Sequence, residues 1–97
     1  MKKRRPTKAE REYMGWVADR GCIICRRPAE IHHIRAGVGA GQRSTAYETI
    51  GLCPKHHRLG GHGVAIHAGQ ETWQAIHGDE TDLADRTFAA HKAAKEA

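Results

Sequence analysis

Four residues constrain this chain more than any other feature: Cys22 and Cys25 in "CIIC", and Cys53 and His56 in "CPKH". In each pair two residues separate the members, a spacing at which one turn delivers both side chains to a single ion. Thiolate and imidazole are the donors of tetrahedral zinc, so the two pairs predict one structural zinc site. The chain has 97 residues and is 39% hydrophobic, which leaves room for only a small core. Chains of that size often gain stability from a metal or a crosslink. Three cysteines cannot all pair with one another, and neither a secretory signal nor a long apolar run is present. The expectation is a cytoplasmic protein with no membrane partner and reduced thiols, where clustered Cys and His bind metal. The plainer alternative is three buried, reduced cysteines beside a surface histidine.

His57 does not fit that first site. Adjacent residues on a helix point about 100° apart. If His56 faces the cysteines, His57 faces elsewhere, and the stretch "LCPKHHRLGGHG" serves two sites. His57 then needs partners, and His32, His33, His62 and His67 are available. On a strand, His32 and His33 point to opposite faces. If His32 binds a metal with His57, His33 can instead sit beside a phosphate and take a proton from water. An ordinary histidine pKa of about 6.5 suits that task. The plainer reading of His-His is two partly exposed polar residues.

The remaining sequence frames these sites. Residues 1–6 form a basic tail opening "MKKRR". Thr7 and Glu10 make a capping box for a helix over 7–20, with Tyr13, Trp16 and Val17 as its core face and Gly21 as its stop. "EIHHI" (30–34) and "TIGLC" (49–53) read as short strands, and "RAGVGAGQRST" (35–45) as a loop between them. Pro54 suits the start of a helix through His56 and His57, which Gly60 and Gly61 end or bend. A helix over 70–77 has Trp73 and Ile76 inward, and Gly78-Asp79 breaks it. A last helix runs from about 82, with Leu83, Ala84 and Phe88 as its apolar edge and an Ala- and Lys-rich end that frays. The whole reads as a single domain over 1–97, with a core at 22–67 and C-terminal helices over 70–97.

"CIIC", "EIHHI", "TIGLC" and "CPKHH", in that order, resemble the HNH, or ββα-metal (His-Me finger), nuclease family. The zinc-stapled subclass shows C-x2-C, a His pair, then C-x2-C-H; here the last piece is C-x2-H-H. "GQRSTAYETIGLCPKHH" and "GVAIHAGQETW" are similar to small phage and prophage members, including relatives of the RecA-dependent phage nuclease Ref. The resemblance implies an α+β fold, with a β-hairpin packed on a short helix around a divalent metal and flanking helices outside. Carried over by position, His32 and His57 are metal ligands and His33 is the general base. His67 is the preferred third ligand, with His62 competing. The middle Asn of the family is missing, since the corresponding slot holds Ala46 to Glu48; Glu48 or a backbone carbonyl would have to orient the base.

The resulting expectation is a metal-dependent DNA endonuclease, phage or prophage derived. It would use a structural Zn²⁺ and a catalytic Mg²⁺, Mn²⁺, Zn²⁺ or Ni²⁺, and leave 5′-phosphate and 3′-hydroxyl ends. A net charge of +5 fits a polyanionic partner such as DNA. Arg35, Arg43, Lys55 and Arg58 flank the proposed site and would hold the backbone; ordinary solvated surface is the equal alternative. A recombinase or phage protein is a further candidate partner. The rival reading is a zinc-stapled nucleic-acid- or partner-binding module without activity. A cytosolic dithiol redox protein using Cys22 and Cys25 is a third, and it leaves Cys53 and the histidines unexplained.

Overall fold

Thr7 starts the first helix as its sequence predicts. Its hydroxyl accepts from the Glu10 N–H at 3.1 Å, and its own N–H donates to Glu10 Oε1 at 2.7 Å. This reciprocal cap satisfies two N–H groups that a helix start otherwise leaves unpaired. The computed structural model describes residues 5–34 and 46–96. Within them, helix α1 spans Lys8–Arg20, strand β1 Glu30–His33 and strand β2 Thr49–Leu52. A single π turn follows at Lys55–Leu59 and a 3₁₀ turn at Ile66–Ala68. Helices α2 (Gln70–His77) and α3 (Glu80–Glu96) complete the chain. The fold is thus mixed α+β, with two antiparallel strands and several helices. Among the described residues, no helix is long and apolar enough to cross a membrane.

The strands pair in the register Glu30↔Leu52, Ile31↔Gly51, His32↔Ile50 and His33↔Thr49. Every residue of β2 is buried, because α1 and α3 both pack on it. Gly51 makes the approach of α1 feasible. A Cβ there would lie 2.9 Å from the Gly21 carbonyl oxygen and 3.2 Å from that of Val17, so any side chain would push the helix end off the strand. The core joins Ile34, Ile50, Leu52, Ile66, Trp73, Leu83 and Ala84, with Cys22 and Cys53 in the same cluster. The Cys22 and Cys53 thiols are therefore part of the core, while Cys25 is exposed.

The helices depart from the sequence reading in five places. Helix α3 begins at Glu80, before position 82, because the Asp79 carboxylate accepts from the N–H groups of Thr81 (2.8 Å) and Asp82 (3.4 Å) and caps it. Its Ala- and Lys-rich end stays helical through Glu96. Its buried stripe is Glu80, Leu83, Ala84 and Thr87, a helical i, i+3, i+4, i+7 pattern. Phe88 lies beside that stripe and stays on the surface, edge-on to Tyr13. Ile76 is 60% exposed rather than inward. The face of α2 that turns in carries Trp73, with Gln74 and His77 half-buried beside it, and Ile76 lies outside that sector. Trp16 is only half-buried; it stacks with Tyr13 and takes the Arg20 guanidinium 4.8 Å from its ring centre.

Candidate functional site

The turn after α1 delivers the first pair of thiols. Arg26 N–H donates to the Cys22 carbonyl at 2.8 Å, and Cys22 N–H to the Arg27 carbonyl at 2.8 Å, closing a tight loop around Cys22 and Cys25. The end of β2 delivers Cys53, and the π turn delivers His56. Cys25 Sγ lies 3.6 Å from Cys53 Sγ, and His56 Nδ1 lies 3.2 Å from Cys53 Sγ and 3.6 Å from Cys22 Sγ. Sulfurs bound at about 2.3 Å to one tetrahedral zinc sit about 3.8 Å apart, whereas a disulfide would bring them to about 2.0 Å. The separations match the first geometry, and all four ligand atoms lie within 4.8 Å of one another. This group can hold a structural ion such as zinc.

Burial, the neighbouring thiols and nearby positive charge set the protonation of the group. Burial, followed by the nearby charges of His77, Lys55 and Arg27, holds the His56 pKa below the ordinary value, which keeps its lone pair available. Burial works to raise the Cys53 thiol, but the His56 and Lys55 backbone N–H groups and the neighbouring thiols together bring it below the usual range. At Cys25 the Arg27 backbone N–H works to lower the thiol, and desolvation with the crowding thiols outweighs it and raises the pKa.

On the other side of the π turn a second group forms. His32 on β1, His57 on the π turn and His67 on the 3₁₀ turn offer nitrogens within 4.8 Å of one another. The ring centres are 5.1 Å (His32–His57), 5.1 Å (His32–His67) and 4.6 Å (His57–His67) apart. His57 Nε2 and His67 Nε2 approach to 2.9 Å, near the roughly 3.0–3.4 Å between adjacent nitrogens bound at about 2.0–2.1 Å to one ion. His32 Nε2 is buried without a hydrogen-bond partner among the described residues. A buried polar atom of that kind is costly unless something satisfies it, and the Glu80 carboxylate lies 3.8 Å from it.

His62 does not join either group. It is exposed, its Nδ1 lies 3.4 Å from the Ala68 carbonyl oxygen, and its ring packs over Gly69. His33 is exposed, facing away from buried His32 as strand alternation requires. Glu48 accepts from the Ile34 N–H through its backbone carbonyl at 3.1 Å, beside the end of β1. Lys55 is exposed. Arg58 is held by Glu30, with Nη2 2.6 Å and Nε 3.2 Å from Oε2. Arg35 and Arg43 lie outside the described residues.

Two carboxylates escaped the sequence reading. Glu30 Oε1 accepts from His57 Nδ1 at 2.8 Å while Arg58 grips the same group. The Arg58 hydrogen bond first, and the His57 one second, lower its pKa to about 2. A carboxylate behind a histidine fixes the ring and leaves the other nitrogen for a metal. A signal for Glu30 existed: it lies two residues before His32 and so shares its face of β1. Glu80, wholly buried and 3.8 Å from His32 Nε2, had no local signal, since the packing of α3 brings it there.

Fold and site together define a class: a small α+β protein that gathers two separate groups of potential metal ligands on either side of one helical turn. Over residues 1–94 the chain matches the model of the family described as "Protein of unknown function (DUF968)", and it belongs to that family. No curated protein matches it, and no solved structure does.

Proposed function

We propose that the protein is a metal-dependent DNA endonuclease of the HNH type, with a ββα-metal core spanning the hairpin and the π turn. The observation that carries the reading is the convergence of His32, His57 and His67 from three separate elements, beside a distinct Cys₃His group. Two groups of different chemistry divide the labour: the thiol-rich one staples the core, and the imidazole one opens to the surface at His67. A divalent ion held by the three histidines would supply Lewis-acid stabilisation to the leaving 3′ oxygen. His57 is kept in the productive tautomer by Glu30. His33, exposed on the opposite face of the strand from His32, takes the proton of the attacking water. Lys55 holds a neighbouring phosphate. The resemblance to phage and prophage HNH proteins supports the same assignment.

One observation favours the rival reading of a zinc-stapled binding module: Ala46, Tyr47 and Glu48 precede β2 where the HNH family has its Asn. A plasmid-nicking assay with Mg²⁺, Mn²⁺, Zn²⁺ and Ni²⁺ decides. The enzyme should nick with at least one of them. His33→Ala should keep its fold and metals and lose about 10²–10⁴ in rate, the usual contribution of a general base. No nicking by the wild type with any of the four would leave the binding module as the reading.

A further inference from the structure

Glu80 is an acid with 0% exposure in a chain with little core to spare. A buried carboxylate is expensive unless it is paired or near a cation. Its contacts to α2 are specific. Gln70 Nε2 donates to Oε2 at 2.6 Å, and the Gln74 side-chain oxygen accepts from the Glu80 backbone N–H at 2.8 Å. Two glutamines of α2 thus anchor the first residue of α3. The other oxygen, Oε1, lies 3.8 Å from His32 Nε2, and the two side chains are 1% and 4% exposed. That gap is too long for a hydrogen bond, yet His32 Nε2 is buried without one.

The parallel with Glu30 is close. His57 already has a carboxylate behind it at 2.8 Å, and that carboxylate also binds Arg58. His32 has a carboxylate at Nε2 about 1 Å farther away, and with Glu80 on that nitrogen it is Nδ1 that would meet the ion. Glu80 also stands outside the set of ligand atoms that lie within mutual reach of one ion, so its place is behind a ligand rather than among the ligands.

We propose that Glu80 is a positioning residue for the His32–His57–His67 group: it orients His32 from the buried side and supplies negative charge opposite the bound cation. This rests on the reading of the three histidines as a metal site, and not on the nuclease reading. The device couples α3 to the hairpin, because the same side chain is tied to Gln70 on α2 and faces His32 on β1.

The test is titration of Co²⁺ into protein whose thiol group is filled with zinc, read by visible d–d absorption. Glu80→Gln keeps the shape and the contact to Gln70 but removes the charge. It should bind Co²⁺ 10–100-fold more weakly, the usual loss when such a partner is removed. Its band envelope, zinc content and far-UV circular dichroism should match the wild type. Glu80→Asp, which keeps the charge on a shorter arm, should fall between the two. Wild-type affinity in Glu80→Gln would overturn the role of Glu80 alone. A changed band envelope would overturn it too, by making Glu80 a direct ligand. Absence of Co²⁺ binding in the wild type would overturn the three-histidine site itself. If Glu80→Gln does not fold, Gln70→Ala, on the exposed start of α2, takes its place. It removes the Gln70 contact to Oε2 and should weaken Co²⁺ several-fold, and unchanged affinity there would equally overturn the proposal.

Discussion

Glu30 shows how much one side chain can set. It stands between a histidine that needs a fixed tautomer and an arginine that needs an acceptor, and it serves both through one carboxylate. Its folded pKa of about 2 lies below the ordinary 4.5. Its stabilising contribution is therefore complete above about pH 4.5 and is lost as pH falls toward 2. Glu30→Gln removes the charge at every pH. It should leave the Cys₃His group intact and weaken divalent binding at the histidine group by about 10–100-fold, measured by isothermal titration with Ni²⁺; equal affinity would detach Glu30 from the site. Cys25 belongs to a different economy. Structural zinc contributes on the order of 10 kcal/mol to folding, comparable with the whole stability of a small domain. Cys25→Ser should therefore lose its zinc and its cooperative melting transition together. A variant that melts like the wild type with zinc still bound would remove the structural role. The four members of the thiol group were legible in the sequence because short spacing carries their geometry. Glu80 was not, because nothing in residues 78–82 announces which strand the helix start will face.

At the scale of elements, the π turn at Lys55–Leu59 separates the two groups. The His57 N–H still donates to the Cys53 carbonyl at 2.9 Å, four residues back, while the Gly60 N–H reaches Lys55, five back, at 2.9 Å. The widened turn splays His56 toward the thiols and His57 toward Glu30 and His67, as about 100° per residue predicts. The divergence was legible; the widening was not, since no local propensity distinguishes one π turn from an α turn. After it, Gly61 takes φ 81 and the chain reverses through Val64 and Ala65, whose N–H groups donate to the Gly61 carbonyl at 3.1 and 2.8 Å. The reversal sends His62 out and brings His67 back on a 3₁₀ turn seated by buried Ile66. His67→Ala should thus abolish divalent binding at the histidine group, while His62→Ala should bind nearly as well as wild type, by the same Ni²⁺ titration. The reverse result would hand the third position to His62. The exposed Ile76 carries the complementary lesson. In a helix of eight residues the apolar positions do not fix which sector turns inward, and here Trp73 chose.

The whole molecule combines a small apolar centre with a basic surface. The α+β class and the hairpin were legible, because "EIHHI" and "TIGLC" carry strand character and flank a glycine-rich stretch. The way α1 and α3 close over β2 was not, since it depends on Gly51 lacking a side chain and on Asp79 starting α3 early. Sixteen Lys and Arg against eleven Asp and Glu leave a net charge of +5. Part of that charge is already spoken for: Arg58 is paired with Glu30, and Arg20 lies over Trp16. A DNA contact drawn from Lys55 and a few neighbours would then neutralise only a handful of phosphates. Each neutralised phosphate steepens the fall of log K against log salt by about 0.9 for duplex DNA. Binding of a short duplex, followed by fluorescence anisotropy, should therefore weaken with added salt along a log–log slope of only a few units and differ little between unrelated sequences. Lys55→Ala should make the slope shallower by about 1 and weaken all sequences alike. An affinity that does not change between low and moderate salt would remove DNA as the partner and return the basic surface to plain solvation.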